Sequence, residues 1–236
     1  WPPGLLELEF DLGHCTNGEA LEIVAPNLQT LWMVASPDFS FVACPVLPPS
    51  LTGISLLNFH QAAVDIALQE IVKLPKLATF TAAGDVPLHL SQLRKLANPL
   101  TKLRVSRIHP STLPFHEPWA SSLQELSVMI IPTLPSADKL WPQILPSTLT
   151  NLRLSCLSTS DSTIPASILL YLPNIVSLNL KGIQPIDSTH FAGLHISRRL
   201  EKLRLDGADA SIVIQDIYPL AWTLCQLQIV HCPNIS

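Results

Sequence analysis

The stretch ILPSTLTNLRLSCL, residues 144–157, decides the fold of this chain of 236 residues. It places leucine at positions 149, 152 and 154, behind a proline and two hydroxyl residues. The same spacing, with apolar residues at the first, fourth and sixth positions, occurs ten times at intervals of 23 to 26 residues. An internal repeat of this length determines the whole architecture. The ten copies begin at Leu5, Leu28, Leu51, Leu77, Leu100, Leu123, Leu149, Ile175, Leu200 and Leu224.

Proline stands one to three residues before six of the ten copies. Because proline has no N–H to donate to a ladder, it belongs at the start of a strand and not inside it. The apolar residues at the fourth and sixth motif positions point to the same side, since side chains in a strand alternate. Each copy therefore predicts a short strand that is entered through a turn. The six prolines are Pro26, Pro49, Pro75, Pro99, Pro146 and Pro173.

On these ten copies, the chain resembles the leucine-rich-repeat family over essentially its full length. The resemblance implies an α/β fold: a curved, horseshoe-shaped solenoid with a parallel sheet on its concave face and short helices and coil on its convex face. Residues 1–236 would form a single domain of about ten repeats within a longer chain. The ninth motif position departs from the family, which usually has asparagine or cysteine there; only Cys232 matches. Its setting, LCQLQIVHCPNIS, resembles the cysteine-containing repeats of F-box proteins.

The segments between the motifs predict short helices and coil. A helix is predicted over residues 62–72, because Val64, Ala67, Leu68 and Ile71 form one apolar stripe. Similar patterns predict helical pieces over residues 88–97, 166–172 and 211–218. Residues 36–47 and 106–119 contain prolines without a helical period and predict irregular coil.

Composition and charge narrow the class of protein. A net charge of −4 and a pI of about 6.0 give no general attraction to nucleic acid or to an anionic membrane. No apolar run reaches the roughly 18 residues that a membrane span requires. Five widely spaced cysteines predict reduced, buried thiols and not a disulfide framework. We therefore predict a cytoplasmic or nuclear protein with no membrane partner and with nucleic acid as a poor fit.

Motifs that carry chemistry are missing from the sequence. It contains no phosphate-binding loop, nucleophile elbow, HExxH or dinucleotide fingerprint. Cys225, His231 and Cys232 come closest to a metal cluster, but their spacing matches no zinc pattern. His14 and Cys15 are adjacent, but a catalytic cysteine also needs an orienting group. The prediction is a protein that is not an enzyme, with no catalytic residues, metal, cofactor or small-molecule substrate.

The concave face is the candidate surface for binding a partner. The third, fifth, seventh and eighth motif positions should face outward on it, and seven of the chain's 14 basic residues fall there. All seven lie between the fifth and the ninth repeat, where Glu125 and Asp206 are the acidic residues at these positions. Trp32, Val34 and Leu57 add a small apolar patch, with Trp32 as an anchor. The seven basic residues, which we call the basic stripe, are Lys102, Arg104, Arg107, Arg153, Lys181, Lys202 and Arg204.

Two interpretations of the basic stripe remain open from the sequence. It is either a solvated face that keeps the sheet soluble or a docking surface for a protein partner with an acidic segment. The second predicts a recognition module that binds a partner or substrate protein on its concave face. The alternatives to this function are a static structural subunit of a larger assembly and the targeting domain of an enzyme whose catalytic part lies outside these residues.

Overall fold

A computed structural model describes residues 1–15, 17–18, 21–36, 38–41, 43–84, 99–107, 121–130, 145–156, 172–182, 199–207 and 217–232. The chain divides into two compact units, Trp1–Thr112 and Leu113–Ser236, which we call unit 1 and unit 2.

Every copy of the apolar motif forms a strand that begins at its third residue. The strands of unit 1 are β1 (Glu7–Leu12), β2 (Asn17–Gly18), β3 (Thr30–Ala35), β4 (Ser40–Phe41), β5 (Gly53–Leu57), β6 (Thr79–Ala83) and β7 (Lys102–Val105), of which β2 and β4 lie between motif copies. Those of unit 2 are β8 (Glu125–Ile130), β9 (Asn151–Cys156), β10 (Ser177–Lys181), β11 (Lys202–Asp206) and β12 (Gln226–Val230).

The motif strands pair in parallel and in register within each unit. The order is β1-β3-β5-β6-β7 in unit 1 and β8-β9-β10-β11-β12 in unit 2. Each motif position therefore forms a row across the strands, as in Leu126, Leu152, Leu178 and Leu203. The predicted α/β fold, a solenoid built on a parallel sheet, is confirmed.

The core consists of the fourth- and sixth-position side chains. Leu126, Leu152, Leu178 and Leu203 are at most 1% exposed. Full burial of one such side chain stabilises the fold by about 1.5–3 kcal/mol. Neighbouring polar positions point the other way, so that Arg153 is exposed between two buried leucines. The spacing of leucine along the sequence thus determines which face of each strand is buried.

The backbone around the second motif position repeats with the sequence. The carbonyl of Leu6 accepts hydrogen bonds from the N–H groups of Gln29 and Thr30, at 2.8 and 3.0 Å, and the later strands copy this arrangement. Where the second residue is threonine, its hydroxyl donates to the second-position carbonyl of the preceding repeat. Thr52, Thr101 and Thr150 do so at 3.1 Å each. These hydrogen bonds join neighbouring repeats at the residue that precedes each strand.

One helix, α1 (Gln61–Ile71), confirms the prediction over residues 62–72. Its N-terminus is capped by the Nδ1 atom of His60, which accepts a hydrogen bond from the N–H of Ala63 at 3.2 Å. The predicted apolar stripe is buried under the repeat. A 3-10 helix covers Tyr218–Leu220. The predicted helical pieces over 88–97, 166–171 and 211–216 lie outside the described residues.

The prediction of coil over residues 36–47 is wrong at β4, which pairs in parallel with β2. The reason is an aromatic cluster of Phe39, Phe41 and Phe59, whose ring centroids lie 5.0–5.7 Å apart. All three rings are buried. Phe59 occupies the ninth motif position, so the aromatic ring replaces the asparagine or cysteine usual there. Only residues 106–107 of the second coil prediction, over 106–119, are described.

The prediction of buried thiols is also corrected. Four cysteines in the described part of the chain are free; Cys15 and Cys225 are exposed, and Cys44 and Cys232 are half-buried. Cys15 follows the turn after β1, and Cys225 occupies the second motif position, which lies outside the core.

Among the helices that the structure describes, none has the length and apolarity to cross a membrane.

Candidate functional site

The structure places the predicted site residues on the outward face of the sheet strands, except for Arg107, which lies two residues after β7. Six members of the basic stripe are exposed: Lys102, Arg104, Arg153, Lys181, Lys202 and Arg204. Arg107 and Trp32 are half-buried. The stripe is divided between the two units, with three residues in unit 1 and four in unit 2.

In unit 1 the outward face changes character from strand to strand. β1 carries the exposed carboxylates of Glu7, Glu9 and Asp11, whereas β7 carries Lys102 and Arg104. The outward side chains of β3, β5 and β6 between them are uncharged.

The predicted apolar patch of unit 1 forms on β3 and β5. Val34 stands opposite Leu57 in the register, and Trp32 lies two residues before Val34 on the same strand. All three side chains are half-buried. The indole of Trp32 therefore offers part of its surface to solvent.

In unit 2 the basic residues occupy consecutive outward-facing rows of the register, which alternate with rows of the core. One row reads Ser127, Arg153, Asn179, Arg204 and Gln228 from β8 to β12. Lys202 lies in the row before it, and Lys181 lies in the row after it, opposite Asp206. Because paired strands are about 4.8 Å apart, these cations line a strip a few strands wide.

Asp206 is the centre of a set of polar contacts that we call the Asp206 cluster. Its Oδ2 atom lies 3.1 Å from Nη2 of Arg204 and 4.0 Å from Nζ of Lys181, and its Oδ1 atom lies 3.3 Å from Nδ1 of His231. Arg204 also donates through Nη1 to Oε1 of Gln228 at 3.5 Å. Asp206 is only 7% exposed, while the other members reach the surface. A buried carboxylate thus holds the cationic side chains in place from below.

These contacts lower the pKa of Asp206 below its ordinary value. The hydrogen bond with His231 has the largest effect, and burial opposes it by penalising the charged form. The hydrogen bond from Arg204 and the charges of Lys181 and Arg204 lower the pKa further. The carboxylate is consequently charged at neutral pH and serves as the fixed acceptor of the cluster.

The backbone positions His231 through the turn that follows each strand. The eighth motif residue has a left-handed conformation at Asn58, Gly182, Gly207 and His231, with φ between 54° and 66°. The N–H of Gly207 donates to the carbonyl of Val230 at 2.8 Å, which fixes this turn beside the end of β12. The imidazole that follows Val230 is thereby brought to the side chain of Asp206.

Two cations of unit 2 do not share this carboxylate. Arg153 and Lys202 form no ion pair with any residue in the described ranges. Their charge is therefore directed to solvent, whereas Lys181 and Arg204 are partly neutralised by Asp206. The four cations of this face are thus not equivalent.

The sequence did not reveal the Asp206 cluster. From the sequence, Asp206 is predicted only as a charge that opposes the basic stripe. His231 stands out only as a member of a poor metal cluster with Cys225 and Cys232. The usable signal was the eighth motif position, where His231 replaces glycine after the strand next to Asp206. No group of three or more His, Cys, Asp or Glu side chains in the described part of the chain could hold a metal ion.

Comparisons with solved structures give a likeness in fold. No family model and no curated protein matches the chain. The chain is similar to a solved structure described as "the crystal structure of CroV588 a novel circular LRR protein structure", with 15% identity and a TM-score of 0.46. The match covers 98% of this chain and 34% of that chain, so the chain spans about a third of the length of that protein. The strand register and the repeated leucine core by themselves establish a leucine-rich-repeat-like solenoid here.

Proposed function

We propose that the chain is a protein-recognition module, not an enzyme, and that its outward sheet face binds an acidic segment of a partner or substrate protein. The observation that carries the proposal is the outward face of unit 2, where four cations occupy consecutive outward-facing rows of the register and two carboxylates oppose them. The resemblance of the last repeat to F-box proteins belongs to the same proposal and favours a substrate protein as the partner.

The Asp206 cluster supports this proposal by preorganising the face. The side chain of Arg204 is held by Asp206 and Gln228, so it loses less conformational freedom when a partner carboxylate approaches. Guanidinium groups favour the planar, bidentate geometry of carboxylates, and two of them, Arg153 and Arg204, lie in one row. An extended segment with spaced acidic residues would match that row.

Unit 1 contributes a second part of the proposal. Trp32 offers an aromatic anchor of the type favoured at binding hot spots, with Val34 and Leu57 beside it. Lys102 and Arg104 on β7, with Arg107 two residues after the strand, would bind acidic side chains of the partner on that unit's face. The partner is thus expected to combine carboxylates with at least one apolar side chain.

The test is a quantitative pull-down from lysate with the wild type and two variants. One is Arg104→Ala/Arg153→Ala/Arg204→Ala, and the other is Arg153→Ala/Lys202→Ala, which leaves the Asp206 cluster intact. Single exposed ion pairs contribute only about 0.2–1 kcal/mol, so several must be removed together. We expect both variants to lose the same partners, because the association rate falls and its dependence on salt weakens.

The matched control is Lys73→Ala/Lys76→Ala. It removes two exposed cations that follow α1 and leaves the outward sheet face unchanged, so its net charge equals that of the double variant. It should keep the partners of the wild type. Identical partner sets for all four proteins, at low and moderate salt and with equal folding, would refute the proposal. The face would then be a solvated surface.

A further inference from the structure

Asn179 lies at the centre of the cations of unit 2. It occupies the fifth motif position of β10, and its register partners are Arg153 on β9 and Arg204 on β11. Lys181 follows it by two residues on the same face of β10, and Lys202 lies diagonally from it on β11. Since β9, β10 and β11 each pair on both sides, this arrangement lies within the sheet and not at an edge. One neutral side chain therefore has all four cations of this face as neighbours.

The spacing of the strands allows these cationic groups to meet above Asn179. Arg153 and Arg204 start one strand away, at about 4.8 Å, and Lys181 starts two residues away, at roughly 6.6 Å. The diagonal to Lys202 is about 8 Å. The four cationic side chains are exposed, whereas the shorter Asn179 is half-buried between them. Because lysine and arginine side chains are long and flexible, their charged groups can converge on one anion over the amide.

The remaining outward neighbours of Asn179 in the register are also polar. Asn151, Ser155 and Ser177 are uncharged and can donate hydrogen bonds. Asp206 is the one carboxylate among these neighbours, and it is only 7% exposed. Its oxygens face the cations and the imidazole of the Asp206 cluster. The surface around Asn179 therefore presents hydrogen-bond donors and positive charge to a ligand.

A phosphate monoester fits this arrangement better than a carboxylate does. A carboxylate is planar and carries a single charge, so one bidentate arginine satisfies it. A phosphorylated serine or threonine has three acceptor oxygens and a charge of about −1.5 to −2, so it can accept from opposite sides of Asn179 at once. Arg204 uses one N–H group for Asp206 and another for Gln228 in the described contacts. A guanidinium has five, so Arg204 retains donors for a bound anion.

We propose that the outward face of unit 2 binds the partner through a phosphorylated serine or threonine, with the phosphate over Asn179. This inference rests on the proposed function and narrows the partner to a phosphorylated protein. Clusters of arginine are a recurring means of binding phosphorylated segments. Arg153 and Lys202 supply cations that Asp206 does not neutralise, and Arg204 supplies one that is held in place before binding. Phosphorylation of the partner segment would then switch binding on.

The first experiment measures the binding of three peptide pools to the 236-residue chain by fluorescence polarisation. The pools have random flanking residues and a fixed phosphoserine, glutamate or serine at the centre. The phosphoserine pool should bind about tenfold more tightly than the glutamate pool, and the serine pool should bind most weakly. Equal affinity for the phosphoserine and glutamate pools would overturn this inference and leave the proposal of an acidic partner standing. A phosphoserine pool that does not bind would also overturn it.

Asn179→Asp tests the position of the phosphate without changing the size of the side chain. Its carboxylate would neutralise the surrounding cations and repel the phosphate, so the affinity for the phosphoserine pool should fall about tenfold. Ser55→Asp is the matched control, because Ser55 is the fifth motif residue of an inner strand and its register partners Trp32 and Thr81 are uncharged. It should leave the affinity unchanged, with both variants folded by their denaturant midpoints. Equal affinities for wild type and Asn179→Asp, or equal losses in both variants, would overturn the inference.

Two further measurements separate a phosphorylated protein from other sources of phosphate. Treatment of the lysate with phosphatase before the pull-down should remove the partners that the wild type retains. Partners that remain would overturn this inference, whereas the Arg153→Ala/Lys202→Ala variant tests the acidic-segment proposal independently. Inorganic phosphate, vesicles that contain a phosphoinositide and an RNA oligonucleotide should each displace the phosphoserine pool poorly. Displacement by any of them at the same phosphate concentration would mean a general anion site and would overturn the inference.

Discussion

At the scale of the residue, successive side chains of a strand point alternately into the core and to the outward face, so neighbours in sequence have different roles. In β9, Leu152 points into the core and is 1% exposed, whereas its neighbour Arg153 is exposed on the outward face. In β11, Leu205 is buried in the core and Asp206 is buried on the outward side under its cationic partners. Burial alone therefore does not distinguish a packing residue from a polar one that orders the surface.

Leu152→Asp should destabilise the chain by several kcal/mol, because it places an unpaired charge in the core. Arg153→Ala should change the stability by about 0.5 kcal/mol or less. The measurement is the denaturant midpoint of each variant against the wild type. The reverse order would mean that the strand register is wrong.

Asp206→Asn should lower the stability by about 1–2 kcal/mol at neutral pH, since it removes charged hydrogen bonds. The pKa of Asp206 is lowered in the folded chain, so its stabilisation is present above the ordinary carboxyl pKa of about 3.9. That stabilisation is lost as the pH falls through the lowered pKa, so the difference in stability between the wild type and Asp206→Asn should narrow there. Urea midpoints over a pH series measure this difference.

The control for this series is Asp38→Asn, which removes an exposed carboxylate in unit 1. It should stay within about 0.5 kcal/mol of the wild type at neutral pH. A gap between wild type and Asp206→Asn that widens at acid pH would contradict the account of the Asp206 cluster.

At the scale of the element, the segments between motif strands decide how each repeat closes. In the repeat of β3 the connection includes β4 and the buried Phe39 and Phe41, whereas in the repeat of β5 it is α1. Phe59 joins the two, because its ring stacks on Phe41 at 5.7 Å and meets Phe39 edge to face at 5.5 Å. The aromatic residue at the ninth motif position therefore has a structural role.

Phe59→Ala should cost about 3–5 kcal/mol, the range for truncating a buried aromatic side chain. Phe59→Asn, which installs a residue usual in the family, should cost at least as much, because its amide would enter an aromatic cluster. Phe10→Ala is the control: its ring is half-buried on β1 beside Trp1, at 5.9 Å, and should cost less. Denaturant midpoints rank the three variants by stability. A larger loss of stability for Phe10→Ala than for Phe59→Ala would contradict the role of the aromatic cluster.

At the scale of the whole molecule, the sequence predicted what depends on periodicity and missed what depends on single contacts. Motif spacing located the ten motif strands, because an error of one residue would move every leucine to the wrong face. An apolar stripe predicted α1 for the same kind of reason. The pairing of Asp206 with His231 required the left-handed turn at His231 and the strand order together. The strand β4 and the exposure of Cys15 and Cys225 likewise depend on packing that no short pattern encodes.

The central claim, that the outward sheet face binds the partner, is tested most directly by lysine acylation of the free chain and of the complex isolated by pull-down. Lys181 and Lys202 lie on that face, and Lys73 and Lys76 lie after α1, so the four side chains supply test and control in one experiment. The account predicts that acylation of Lys181 and Lys202 slows in the complex while that of Lys73 and Lys76 is unchanged. Equal acylation of Lys181 and Lys202 in the free chain and in the complex would contradict it.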